Sequence, residues 1–161
     1  MVTETPARLD VQSLTRAFGG RRVVDDVSFA IPAGQVTCLL GPSGCGKSTT
    51  LRMIAGVEMQ DEGRIFVDGN LVCDMVFRVP PERRAIGLMF QDFALFPHLS
   101  VSDNVGFGLA RGAPDRAARV AALLDRVKLS GFGAKYPHEL SGGEQQRVAL
   151  ARALAPRPRI L

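Results

Sequence analysis

The residues best suited to chemistry lie in one run, Gly41 to Thr49, which reads GPSGCGKST. It fits G-x-x-x-x-G-K-[ST], with Gly41, Gly46, Lys47 and Ser48 at the defined positions. Glycines let the backbone curl so that successive N–H groups point inward and form a nest for phosphate oxygens. A helix starting there adds unpaired N–H groups and the positive end of its dipole. Lys47 supplies a positive charge for the β and γ phosphates, and the Ser48 hydroxyl is a candidate Mg²⁺ ligand. The competing account is a glycine-rich turn before an ordinary helix. Context favours the phosphate: Val36–Leu40 is a short apolar run of the kind a buried parallel strand uses, and Thr49–Ala55 reads as a helix stopped by Gly56.

A second run, LSGGEQQR over 140–147, resists a purely structural account. Ser141 and Glu144 make a capping box, which starts a helix whatever the function. Gly142 and Gly143 cost about 1 kcal/mol each relative to alanine in a first helical turn. They make sense if something must approach that backbone closely, and an anion at a helix N-terminus is the natural candidate.

The chain that must position these residues has 161 of its own, 46% hydrophobic and 22% charged, the make-up of an ordinary globular domain with a real core. No apolar run approaches ~18 residues, so no bilayer-spanning helix is expected. Met1–Asp10 lacks an apolar segment and does not read as a secretory leader. The net charge of +4 is mild, the arginines are dispersed and there is a single Tyr, which argues against a nucleic-acid surface. Three cysteines without a CxxC pair point to a reducing cytosol and away from disulfides and zinc.

Leu9–Leu14 and Val27–Ile31 alternate apolar and polar residues and predict strands with one buried face, separated by a turn at Phe18-Gly19-Gly20. Pro32–Gly34 is a further turn. Arg64–Val67, Asp68-Gly69 and Leu71-Val72 predict an antiparallel hairpin. Pro80-Pro81 breaks the chain before Ala85–Phe90, another expected strand. From Ser100 onward the pattern is helical. Ser100 and Asp103 cap a helix reaching about Leu109, and Pro114 starts a second in the first helical position. Val120, Leu123, Leu124 and Val127 form its buried stripe. A third helix is ended by Pro156 and Pro158.

GPSGCGKST, then Gln91 in FQDFALFPHLSV, then LSGGEQQR together resemble the nucleotide-binding subunits of ABC transporters, over essentially the whole chain. The wording around Gln91 is most similar to importer ATPases for ferric iron, polyamines, sulfate or sugars. The resemblance implies an α/β fold: a P-loop NTPase core with an N-terminal antiparallel β subdomain and an inserted helical subdomain. It divides a single domain into 1–90, 91–140 and 141–161, the last holding the signature helix and the start of the Walker B strand. ATP and Mg²⁺ are the implied cofactors. Phe18 would stack on adenine, and Ser43, Gly44, Cys45, Gly46, Lys47, Ser48 and Thr49 would wrap the triphosphate. Gln91 would touch Mg²⁺ or the attacking water. Ser141, Gly142, Gly143 and Glu144 would complete the γ-phosphate site of a second protomer in a head-to-tail dimer. Phe93, Leu95, Phe96 and Pro97 form an apolar patch for a coupling helix, unless the helical subdomain buries them. His98 and His138 do not stand where the family's switch histidine belongs.

In the family, an apolar run ending in Asp-Glu-Pro begins where this sequence reads Ile160-Leu161. The expectation is an importer subunit truncated before Walker B, with the C-terminal part of the core missing, marginal folding and negligible hydrolysis by the short chain. The implied parent is an ATPase on the cytoplasmic face of the inner membrane. It would be peripheral, attached only through the permease, and would import ferric iron or a similar small solute. The alternatives are a non-catalytic nucleotide-binding fragment and a soluble ABC ATPase of DNA repair or translation. A kinase or GTPase has no use for LSGGEQQR.

Overall fold

The computed structural model describes residues 7–161; residues 1–6, most of the stretch read as no secretory leader, lie outside them. The described residues divide into two compact units, one of residues 7–86 with Ile160 and one of residues 87–159 with Leu161.

In the first unit, β1 (Ala7–Phe18), β2 (Arg21–Pro32), β3 (Glu62–Val67) and β4 (Asn70–Cys73) form an antiparallel sheet in the order β2-β1-β3-β4. The four strands predicted for this sheet and the turns at Gly19-Gly20 and Asp68-Gly69 are present, with the strands longer than expected. β1 is the centre, pairing Leu9 with Ile31 on one side and with Val67 on the other. Its buried residues change phase, Leu9 and Val11 before Ser13 but Leu14 after it. Ser13 sits at φ 51°, and the pairing slips there against both neighbours, a bulge that keeps one apolar face on the core. Helix α1 (Lys47–Ala55) lays Met53 and Ile54 into the same core as Leu9, Val11, Leu14 and Ile65. Met53 is fully buried, which contributes about 1.5–3 kcal/mol of transfer free energy. Gly56 ends the helix in the left-handed region, as its position predicts.

Two expected strands do not form. Val36–Leu40 is irregular, with Val36 96% and Leu40 90% exposed. Ala85–Phe90 is likewise without strand structure apart from one parallel bridge, Ile86 to Ile160. The reason is physical: an apolar run becomes a strand only when a neighbour takes its N–H and C=O groups, and no ladder among the described residues does so.

The second unit holds α2 (Val101–Gly106), α3 (Arg116–Arg126) and α4 (Gly142–Leu154). Ser100 caps α2, its hydroxyl accepting from Asp103 N–H, but the helix ends at Gly106 rather than near Leu109. Pro114 is not the first residue of α3; Asp115 is the N-cap, so the proline precedes the helix. The predicted stripe of Val120, Leu123, Leu124 and Val127 is buried, with Val101 and Val105 of α2 and Val148 and Ala151 of α4. α4 therefore shares one core with the two helices before it.

Candidate functional site

The phosphate loop leaves an exposed irregular segment and enters α1, with Gly46 as N-cap at φ 90°. A Cβ on Gly46 would lie 2.4 Å from the Val23 carbonyl oxygen, so no other residue fits where the loop meets β2. No side chain caps the first N–H groups of α1, and no acidic residue occupies its first turn. That leaves donors and a positive dipole end directed at the loop. Lys47 folds back into the loop, its ammonium donating to the carbonyls of Gly41 at 2.8 Å and Pro42 at 2.7 Å. The Cys45 sulfur lies 3.5 Å from the same nitrogen. Ser43, Gly44, Cys45 and Ser48 are exposed, while Thr49 is half-buried. The fit to a triphosphate is therefore direct: a glycine-defined cradle, an uncapped helix start, and one cation held at the centre. Mg²⁺ draws most of its ligands from water and substrate phosphates, so a single exposed hydroxyl at Ser48 is a suitable protein donor.

Phe18 is 44% exposed at the end of β1. The Arg16 guanidinium lies over its ring, 4.6 Å from the centroid. Arg16 is itself held by Glu58 at 2.8 Å and Asp61 at 2.6 Å. The Ala17 N–H, and after it Arg16, hold the Asp61 carboxyl below the usual carboxylate range. Phe18 is thus a ring of fixed orientation, backed by a cation and open to solvent, which suits a flat aromatic partner.

Gln91 lies in the second unit, exposed in a turn after the irregular segment. Of the neighbouring apolar residues, Leu95 packs on the helical core, Phe96 lies against Phe107 with ring centroids 4.3 Å apart, and Pro97 is exposed.

At the start of α4 the capping box is complete. Glu144 N–H donates to the Ser141 hydroxyl, and Ser141 N–H and hydroxyl both donate to the Glu144 carboxylate at 2.7 Å. Those bonds, the hydroxyl first, lower the Glu144 pKa. Gly142 and Gly143 are exposed, with open space where a Cβ on Gly142 would stand and only the end of Arg147 near that on Gly143. The chain's own packing gives no reason for glycine at either place.

The phosphate loop and Phe18 thus fall in the first unit, Gln91 and Ser141–Glu144 in the second. Sequence reasoning missed Arg16 and also Arg84, a buried arginine that donates to Met53 and Ile54 carbonyls at the end of α1. Neither carries a spacing signal, since an arginine beside other charged residues reads as a solvated one.

The ABC transporter family model matches residues 24–161, and the chain belongs to that family. It is 53% identical to the Fe(3+) ions import ATP-binding protein FbpC of Pseudomonas fluorescens over 154 residues, 95% of this chain and 44% of that protein. It is 52% identical to the spermidine/putrescine import ATP-binding protein PotA of Nitrosospira multiformis, over 96% of this chain and 42% of that one. The chain thus spans less than half the length of these relatives. Among solved structures it is similar to the ATP-binding cassette MJ0796 in a dimeric post-hydrolysis state bound to ADP and Pi. That match has a TM-score of 0.81 and 33% identity, covering 93% of this chain and 70% of that one. The expected ABC ATPase fold is therefore present. No helix among the described residues is long and apolar enough to cross a membrane.

Proposed function

We propose that this chain is the nucleotide-binding part of an ATP-binding subunit of an ABC importer. Gly41–Thr49 holds the triphosphate of Mg·ATP, Ser48 ligates the metal, and Phe18 stacks on the base. Gln91 senses the metal or the attacking water. When Mg²⁺ is bound it neutralises charge on the β and γ phosphates; the chain's own residues bind and orient the nucleotide. The solute is ferric iron or a similar small solute, in keeping with the ferric iron and spermidine/putrescine import named for the relatives. The subunit works on the cytoplasmic face of the inner membrane, attached through a permease that Phe93, Phe96 and Pro97 help to meet, while Leu95 packs on the helical core instead.

One observation carries the reading: the uncapped start of α1 with Lys47 drawn into a glycine-defined loop. A second supports the head-to-tail dimer, namely the exposed Gly142-Gly143 backbone that nothing in the chain needs. In the complete subunit, ATP should drive dimerisation measured by sedimentation. Gly143→Asp should abolish the dimer while a single protomer still binds ATP. A dimer of unchanged affinity in Gly143→Asp would overturn the role given to 141–144.

A further inference from the structure

The loop after Gln91 is unusual in how its backbone is held. Phe93 and Ala94 both lie in the left-handed region, at φ 61° and 45°, where side chains are normally disfavoured. Such a pair persists only if its surroundings hold it. The holder is Arg152, on the last turn of α4: its guanidinium donates through Nη1 to the Ala94 carbonyl at 2.7 Å and through Nη2 to the Phe93 carbonyl at 2.9 Å. The same guanidinium lies 5.2 Å from the centre of the Phe96 ring. It is half-buried, and that desolvation lowers its pKa.

Farther along the loop, Asn104 of α2 does the same work. It is fully buried, and its amide nitrogen donates to the Phe96, Leu99 and Ser100 carbonyls at 3.0, 3.0 and 3.1 Å. Its amide oxygen accepts from Phe96 N–H at 2.9 Å. A buried asparagine with its hydrogen-bonding groups engaged by one loop specifies that loop's conformation more than it stabilises the core.

The geometry points to Arg152 and Asn104 as positioning residues: Arg152 fixes the Gln91 loop to α4, the helix that Ser141–Glu144 begins, and Asn104 fixes the far part of the loop to α2. α4 is then a rigid rod with the signature residues at one end and the grip on Phe93 and Ala94 at the other. Engagement of Gly142-Gly143 is carried to Gln91 through that rod rather than through solvent. This rests on the roles proposed above for Gln91 and for 141–144. A lysine replaces Arg152 only in part, because a single ammonium lacks the planar fork that spans two successive carbonyls.

Amide hydrogen exchange of the 161-residue chain tests the strap without any nucleotide. In Arg152→Met, exchange at Phe96 and Leu99 should rise at least about tenfold, with Leu123 and Leu124 of α3 unchanged, and Arg152→Lys should fall between. Unchanged exchange at Phe96 and Leu99, or a uniform rise that includes α3, overturns the strap. In the complete ATP-binding subunit, Arg152→Met should lower kcat about tenfold while KM for ATP stays within about twofold, since KM reads the phosphate loop and kcat reads Gln91. A rise in KM at constant kcat overturns the positioning role. A wild-type subunit that binds no ATP refutes the functional reading instead, and exchange alone then decides the strap.

Discussion

Arg84 lies against Gly56 so closely that a Cβ added to the glycine would stand 2.6 Å from the arginine Nε. The guanidinium is buried at 4% exposure and donates to the Met53, Ile54 and Val79 carbonyls. Two of those carbonyls belong to the last turn of α1, where a cation meets the negative end of the dipole. The far end of the phosphate-loop helix is thereby clamped.

Removing the clamp should be costly. Arg84→Met should destabilise the chain by about 1.5–3 kcal/mol, the range for hydrogen bonds from a charged group. Gly56→Ala should cost about 1–3 kcal/mol through the left-handed backbone and displacement of Arg84. Urea unfolding at constant m-value measures both; losses under about 0.5 kcal/mol would show that Arg84 is a bystander.

The capping box of α4 predicts a pH signature. The Glu144 pKa is lowered from about 4.5, first by the Ser141 hydroxyl and then by the Ser141 N–H. A lowered folded value means that the stabilisation is fully present above the unfolded value and is lost as pH falls through the folded one. Wild type should therefore exceed Glu144→Gln in stability above pH ~4.5, with the gap closing at lower pH. A gap that widens on acidification would contradict the assignment.

Cys45 is exposed beside Lys47 and inside the loop, whereas Cys73 is buried against Gln60. An alkylating reagent should modify Cys45 and block nucleotide binding, and bound ATP should slow that modification by about tenfold or more. Mass spectrometry of the loop peptide distinguishes Cys45 from Cys38, which is also exposed. Equal rates with and without ATP would count against the placement of the triphosphate.

What the sequence made legible follows from locality. The Ser141–Glu144 box, the Asp68-Gly69 hairpin and the Gly56 stop each depend on residues a few positions apart, so their spacing suffices. Val36–Leu40 failed because a buried strand depends on partners elsewhere, which apolarity alone cannot supply. Arg84 and Arg152 were missed because their carbonyl partners are distant in sequence. Asn104 left a usable sign: it stands between Val101 and Val105 on the buried face of α2, a polar residue where the period calls for an apolar one.

The central claim is that Gly41–Thr49 binds the phosphates of ATP through Lys47. Titration of the chain with a fluorescent ATP analogue and Mg²⁺ tests it most directly, comparing wild type with Lys47→Ala. The account predicts saturable binding by wild type and a loss of at least about tenfold, or ~1.4 kcal/mol, in Lys47→Ala, with the circular dichroism spectrum unchanged. Equal affinity in the two proteins, or no binding by a folded wild-type chain, would contradict it.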